Sequence, residues 1–299
     1  MRTLTVAGLQ TAPVDLDPPA TFDRFSSDVH ALRDTFPDVE LVLTPEVFLS
    51  GVGHVLREPE GYPLAVAEPV PGPLTDAVCG LARDTGLWLV PGSIYERDGD
   101  AVRNTMIVAS PEGELVAAYR KCFPWAPYEA SSAGTELMTF DIPGKGRIGL
   151  AICYDGVFPE VPRQLAWWGA EVMLQPMLTG TSDRDGEVAI ARATAIMSQM
   201  AIVSVNAATP AGGGRSVIVD AEGIVRVEAG AGEEVLIDVI DLDAVARVRR
   251  RGAYGINRLW DQWDRQAPLL DLPMYGRLSP RPQAHDDGAA DGAALEVRS

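Results

Sequence analysis

The residues in this 299-residue chain best suited to covalent chemistry are one cysteine, two glutamates and a lysine, three of them at or just past the end of an apolar run and the second glutamate in a loop. Cys153 follows Ile148 to Ile152 in GRIGLAICYDGVFPE, where Asp155-Gly156 breaks the extended pattern and Pro159-Glu160 opens a helical one. The thiol thus sits on a strand-to-helix turn, and a helix N-terminus behind it favours a thiolate. Glu46 ends the run Val39 to Leu43 at Thr44-Pro45, and Lys121 ends a hairpin in YRKCFPW. Glu129 follows eight residues later, across a loop stiffened by Pro124, Trp125 and Pro127. Thiol attack on a carbonyl needs a base, and the three histidines, His30, His54 and His285, have no catalytic or metal-ligand spacing, which leaves a carboxylate, Glu46. The oxyanion formed needs fixed donors, which the Lys121 ammonium and the Tyr154 backbone N–H would supply. Singly, each residue has a plainer reading: Cys153 as a core thiol, Glu46 as a strand-end carboxylate, Lys121 as surface charge. Their joint arrival at strand ends, where α/β sheets gather reactive groups, favours catalysis.

Lysine usage sharpens the case for Lys121. Of 25 basic residues only Lys121 and Lys145 are lysine; Lys145 lies in the turn PGKGR, but Lys121 is set among aromatic and apolar neighbours.

Positioning these groups requires alternating strands and helices. Strands are expected at Leu4–Gln10, Val39–Leu43, Leu87–Ile94, Leu137–Ile142, Arg147–Ile152, Val172–Gln175, Ala201–Asn206 and Glu234–Ile240. Helices are expected at Ala20–Thr35, Leu74–Thr85, Pro159–Gly169, Asp185–Met200 and Asp241–Arg251. Val47 to Pro73 reads as irregular surface loop with room for a short helix. Two hairpins, NTMIVASPEGELVA and GRSVIVDAEGIVRV, turn at Pro111-Glu112-Gly113 and Ala221-Glu222-Gly223. Each follows a βα unit, which suggests an internal duplication, although two hairpins with the same turn type also look alike without one. The alternation gives an α/β fold with helices on the outer faces of sheets.

Composition bounds the rest. Hydrophobic residues make up 46%, enough for a full core, and the net charge of −17 argues against nucleic acids and anionic membranes as partners. Cys79, Cys122 and Cys153 form no metal spacing and no even disulfide set, which suits a reducing, cytoplasmic setting. The N-terminus is too polar for a signal peptide, and no apolar run is long enough to span a bilayer. Arg247, Arg249, Arg250 and Arg251 read as a solvated helix end. Trp260 and Trp263 are candidates to dock a C-terminal arm on a neighbouring subunit, and residues 279–299 read as a disordered tail. The expected organisation is a single domain over 1–278, with a core at 4–251 and an arm at 252–278.

Three segments in order, PEVFLSG, YRKCFPW and ICYDGVFPE, resemble the nitrilase superfamily of carbon–nitrogen hydrolases over roughly Leu4 to Arg251. KCFPWAPYE matches the K-x-x-P-W-x-P-x-E pattern of its aliphatic amidase and formamidase branch, and CYDGVFPE matches C-x-D-G-x-x-P-E. Tyr154 departs from that branch, which more often has a charged residue after the cysteine. The resemblance implies a four-layer α-β-β-α sandwich of two mixed sheets packed face to face. It implies a homodimer or higher homo-oligomer formed through helices, with no cofactor and no metal. It also implies a Glu46–Lys121–Cys153 triad with Glu129 as second glutamate and Trp125 lining the acyl pocket.

The activity so implied is hydrolysis of a small aliphatic carboxamide to acid and ammonia through a Cys153 thioester. Met177 to Thr181, following a strand of the same sheet, are further candidates for the pocket, with Met177 the first named. Asn104 and Asn206 are candidates to orient site loops, and Asp155 reads as a turn residue. Alternatives on the same triad are a nitrilase, an acyltransferase, or an N-carbamoyl amino acid amidohydrolase with Arg163 or Arg184 gripping the carboxylate. A non-catalytic nitrilase-like interaction protein is the alternative of another class.

Overall fold

Apolar side chains alternate along the central strands in a way that buries both strand faces. In Thr3–Gln10, Leu4 and Val6 point into one cluster while Ala7 and Leu9 point into another. Leu41 and Leu43 share the first cluster and Val42 the second; Val172 and Leu174 likewise share the first, with Met173 in a third. With a side-chain period of two, each sheet must be covered on both sides. The first cluster lies between the sheets, and the other two lie under helices.

The computed structural model describes residues 1–54, 58–272 and 274–277; the tail at 279–299 and His285 fall outside them. The first half runs β1 (Thr3–Gln10), α1 (Pro18–Thr35), β2 (Leu41–Leu43), α2 (Tyr62–Val66), α3 (Pro73–Thr85), β3 (Trp88–Val90), β4 (Ser93–Asp98), β5 (Ala101–Ala109) and β6 (Leu115–Arg120). The second runs β7 (Met138–Ile142), β8 (Gly146–Leu150), α4 (Glu160–Trp167), β9 (Val172–Met177), α5 (Arg184–Ser198), β10 (Ala201–Asn206), β11 (Val217–Val219) and β12 (Val225–Glu228). The chain then continues through β13 (Glu234–Asp241), α6 (Leu242–Arg251) and α7 (Leu259–Gln266).

One sheet has the order β13-β1-β2-β3-β5-β4, with β6 also on β5; the other has β12-β11-β10-β9-β8-β7. Both are mixed: β1-β2-β3 and β8-β9-β10 are parallel, and hairpins extend each set antiparallel. This is the expected two-sheet α/β sandwich with helices outside. The likeness of the two hairpins extends to their detail. Each has a register shift one turn from its tip, at Val108/Ala109 and at Ile218/Val219, and each turns on a glycine of positive φ, Gly113 and Gly223. Among the described residues no helix is long and apolar enough to cross a membrane.

Two expectations are corrected. Leu87–Ile94 is not one unbroken strand: Pro91 lacks an N–H and Gly92 has φ +66°, so pairing is interrupted between β3 and β4, although both run antiparallel to β5 in the same direction. β4 then pairs antiparallel with β5 from Ser93↔Met106 to Asp98↔Ala101. Trp260 does not wait for a neighbour. It is 0% exposed, its indole N–H donates to the Ser198 carbonyl at 3.1 Å, and the Arg163 guanidinium lies over its ring and that of Trp263. α7 is thus docked on the chain's own helical layer. The arginine cluster is only partly solvated, since Arg249 Nε donates to the Gln199 carbonyl at 2.9 Å.

Gly92 bears directly on the cleft. A Cβ there would stand 1.6 Å from the Pro45 carbonyl oxygen, beside Glu46. Gly92→Ala is expected to cost at least about 3 kcal/mol in urea unfolding, because left-handed strain and a backbone clash add. Gly99→Ala, at φ +61° with nothing within 4 Å, should cost only about 1 kcal/mol. Equal losses would show that the Gly92–Pro45 approach does not constrain the chain.

Candidate active site

The strand-end residues converge on one cleft. Glu46 comes two residues after β2's extended run reaches Thr44, and its N–H donates to the Met177 carbonyl at the end of β9 (3.2 Å). Val47, at φ +44°, fixes the turn, and its N–H donates to Ser93 Oγ at 2.9 Å. Lys121 directly follows β6; its N–H donates to the Asn104 carbonyl (2.8 Å) and its carbonyl accepts from Gly134 N–H (2.7 Å). Its ammonium is 2% exposed and donates to Glu46 Oε1 at 2.7 Å and Glu129 Oε2 at 2.6 Å. Asn104 Nδ2 bridges the same carboxylates, 2.9 Å from Glu46 Oε1 and 2.9 Å from Glu129 Oε1. Ser131 Oγ and Trp125 N–H complete the donors to Glu129. Burial alone would draw the lysine down, but the two carboxylates outweigh it and hold Lys121 well above its ordinary range. Burial likewise pushes Glu129 up, and Lys121, Ser131 and the Trp125 N–H pull it below the usual carboxylate value.

Cys153 opens a 3-10 turn, Cys153–Val157, at φ +44°, a strained value for a non-glycine residue. Gln175 Nε2 donates to its carbonyl at 2.9 Å, through space that a Cβ on Gly156 would fill: that atom would lie 2.2 Å from Gln175 Nε2. Asp155, fully buried, accepts from Ile152 N–H, Phe123 N–H and Tyr119 Oη, which ties the turn to the Lys121 loop. It is a turn residue, as expected. The Tyr154 N–H precedes the turn's first internal bond, Asp155 N–H to the Ile152 carbonyl. Its ring packs edge-on against Phe158 and lines the cleft, as Trp125 does.

The thiolate expectation is overturned. The α-helix starts only at Glu160, seven residues on, and burial together with the Glu46 carboxylate pushes the Cys153 thiol well above its ordinary value. Lys121 and the Leu178 N–H offset only part of this. Met177 is also misplaced: it is 1% exposed and buried at the end of β9, and the cleft is lined instead by Leu178, Thr179, Gly180 and Thr181 after it. Asn206 orients that segment, accepting from Thr179 N–H and donating to the Thr179 carbonyl. Neither Arg163 nor Arg184 lines the cleft. Arg163 is packed against α7, and Arg184 is spent on Glu187 and the Gly214 and Arg215 carbonyls.

The cleft is open to solvent at its mouth and narrow within. Its lining includes residues that sequence reasoning missed: His54, Tyr95, Asp183, Glu187 and Ala211. Tyr95 was hidden by the misread β3–β4 boundary. Glu187 carried a partial signal, as an acid in the first turn of α5, but an acid there is equally an ordinary helix start. His54 sits in a loop with no periodic pattern to place it.

Asp155 yields a pH prediction. Burial raises its carboxyl from 3.8 to about 6, against the bonds it accepts from Ile152, Tyr119 and Phe123. An acid raised in this way favours folding fully below its unfolded value and loses that contribution as pH rises through the folded one. About two units at 1.36 kcal/mol each gives up to roughly 3 kcal/mol. Wild type should therefore lose up to roughly 3 kcal/mol relative to Asp155→Asn between pH 4 and 7 in urea unfolding. A gap independent of pH would show that this carboxyl is not shifted.

Comparison with known proteins agrees with the geometry. A family model described as carbon-nitrogen hydrolase matches residues 5–250. Formamidases of Bacillus thuringiensis (strain Al Hakam) and Bacillus cereus (strain AH820) are each 31% identical over 215 residues, 68% of this chain; the match spans 63% of those relatives' length. Among solved structures, Saccharomyces cerevisiae Nit3, a member of branch 10 of the nitrilase superfamily, aligns with a TM-score of 0.76 at 26% identity, over 83% of this chain and 94% of that one. The NitN amidase of Nesterenkonia sp. AN1 aligns with a TM-score of 0.67 at 25% identity, over 83% of this chain and 98% of that one. With the family model covering most of its length, the chain belongs to the carbon-nitrogen hydrolase family.

Proposed function

We propose that the protein is a thiol amidohydrolase that converts a small aliphatic carboxamide to a carboxylic acid and ammonia. The observation that carries the reading is the Lys121 ammonium, buried between Glu46 and Glu129 in the cleft that also exposes Cys153. A buried ammonium with two carboxylates serves poorly as mere scaffolding, since apolar residues of similar volume fill such space at lower cost. Beside a nucleophile it supplies a fixed positive charge where negative charge develops.

The Cys153 thiol rests protonated. Glu46 takes its proton as sulfur attacks the amide carbon. The oxyanion is met by Lys121 and the Tyr154 N–H. Glu46 returns the proton to the leaving nitrogen, the C–N bond breaks, and ammonia departs from a thioester. Water then attacks the thioester carbon and gives its proton to Glu46, with Glu129 holding Lys121 and the site's hydrogen bonds in place. The C–S bond breaks, the proton returns to sulfur, and the acid leaves. Trp125, Tyr154 and the segment Leu178–Thr181 bound the acyl group, and the formamidase and amidase relatives favour a short one. The N-carbamoyl amino acid reading loses its support, because Arg163 and Arg184 lie outside the cleft lining. A homodimer and a cytoplasmic setting belong to the same proposal.

Ammonia release from formamide, acetamide and butyramide, set beside matching nitriles and N-carbamoyl amino acids, tests the substrate class. Turnover of the nitriles alone would replace this reading with a nitrilase. Cys153→Ala and Lys121→Arg should each lower kcat/KM by more than about a thousandfold, since a planar guanidinium cannot replace a compact ammonium, and Cys153→Ala should leave thermal unfolding near wild type. An acyl adduct mapped by mass spectrometry to Cys79 or Cys122 would refute the nucleophile assignment.

A further inference from the structure

The wall of the cleft formed by the start of α5 carries charge that the catalytic cycle does not use. Glu187 lines the same cleft as Cys153, with its side chain 15% exposed. Thr179 Oγ1 donates to its Oε1 at 2.9 Å and Arg184 Nη1 to its Oε2 at 3.2 Å. Asp183 lines the cleft one turn earlier, and Tyr95, also in the lining, donates its hydroxyl to Glu58 at 2.6 Å. On the opposite wall Lys121 is engaged by Glu46 and Glu129. Arg184 is buried at 4% exposure and turns its Nε and Nη2 away, to the Gly214 and Arg215 carbonyls. The N-terminus of α5, which would otherwise attract an anion, already has Asp185 and Glu187 in its first turn.

A substrate carboxylate entering this cleft would face a lining in which Glu46, Glu129, Asp183 and Glu187 outnumber Lys121 and the flanking Arg184. An ammonium would meet the Glu187 carboxylate, and among the described residues Lys121 and His54 are the basic side chains of the lining. We propose that Glu187, positioned by Thr179 and Arg184, sets the charge selectivity of the cleft. It favours amides whose acyl chain bears an ammonium group over neutral isosteres, and it excludes those bearing a carboxylate. This deepens the amidohydrolase reading and rests on Cys153 being its reactive centre.

The test is arranged so that the two readings fail separately. Aminoethyl, hydroxyethyl and sulfonatoethyl methanethiosulfonate differ mainly in charge. The Cys153 sulfur attacks the sulfenyl sulfur of each, a disulfide forms and methanesulfinate leaves, so no amide hydrolysis is involved. Rates of Cys153 labelling, followed by mass spectrometry and divided by rates with a small free thiol, give the selectivity. Work at about 0.5 M salt suppresses the long-range pull of the net negative chain, because screening there falls to a few ångströms. The cation should outpace the anion by more than about tenfold, since a nearby charge in a low-dielectric cleft is worth over 1 kcal/mol. Glu187→Gln should reduce that ratio at least about fivefold, while Glu187→Asp, which keeps the charge, should retain most of it.

In parallel, kcat/KM for β-alaninamide, propionamide and malonamate should fall in that order. A purely structural role for Glu187 would move all three rates together and leave the ratios intact. An anion that labels Cys153 as fast as the cation, or a ratio unchanged in Glu187→Gln, overturns the proposal even if amides are hydrolysed. Charge-selective labelling without ammonia release from any amide would uphold it and overturn the amidohydrolase reading instead.

Discussion

One ammonium held between two carboxylates, almost wholly out of water, is the constraint around which the cleft is built. Each ion so buried costs several kcal/mol, and the cost is recovered only when geometry and hydrogen bonding are nearly complete. The hydrogen bonds here come close to that. Glu129 Oε1 takes Asn104 and Ser131, its Oε2 takes Lys121 and the Trp125 N–H, and Glu46 Oε1 takes Lys121 and Asn104. Asn104 spends both N–H groups on this cluster, and among the described residues its own Oδ1 is buried without a partner. That residual penalty shows what dominates: the structure tolerates one unsatisfied carbonyl oxygen to keep both carboxylates bridged.

Such a cluster requires its members to arrive from rigid elements, and the doubled architecture provides them. β1-β2-β3 with the β5-β6 hairpin, and β8-β9-β10 with the β11-β12 hairpin, are two versions of one plan packed face to face. The first half delivers Glu46 beyond β2, Asn104 from β5 and Lys121 beyond β6. The second delivers Cys153 beyond β8 and Thr179 beyond β9. Neither half holds a complete site. The bond from Glu46 N–H to the Met177 carbonyl and those from Tyr119 Oη and Phe123 N–H to the Asp155 carboxylate sew the halves together where the reactive groups meet. Packing between the sheets therefore sets the distances in the cleft.

Much of this was legible in the sequence, for reasons that are local. Strand ends carrying Glu46, Lys121 and Cys153 announce themselves because short apolar runs stop at Pro, Gly or Asp and leave a reactive type exposed to inspection. A lysine kept among aromatics, in a chain that otherwise uses arginine, is visible in the composition. What escaped is non-local. The interruption at Pro91-Gly92 brings Gly92 against the Pro45 carbonyl, a contact remote in sequence, and reading one unbroken strand there hid Tyr95. Met177 ends β9 inside the core while Leu178 to Thr181 beyond it line the cleft, and the pairing of β9 with β8 and β10 sets where that change falls. Trp260 looked free for a partner because the helical layer that covers it, including Ser198 and Arg163, is remote in sequence. The thiol's surroundings could not be read from a helix start, because a 3-10 turn intervenes and burial with the Glu46 carboxylate raises the thiol.

That last point shapes the chemistry. Among the groups about Cys153, Glu46 and Glu187 raise the thiol while Lys121 and the Leu178 N–H lower it, and burial adds to the raising side. A thiolate standing beside an ionised Glu46 would, with Glu129, put three negative charges against one ammonium in a poorly solvated cleft. The favourable states are those in which the pair carries a single negative charge, on the carboxylate at rest and on sulfur or the substrate oxygen once the proton has moved. Lys121 contacts Glu46 at 2.7 Å and lines the cleft with Cys153, so its charge can serve either location without side-chain movement. Nucleophile activation on the proposed pathway is thereby coupled to substrate attack: the proton leaves sulfur when a carbonyl carbon is there to take the electron pair. A thiol kept neutral between turnovers is also a poor target for oxidants and stray electrophiles, because the thiolate is the reactive form.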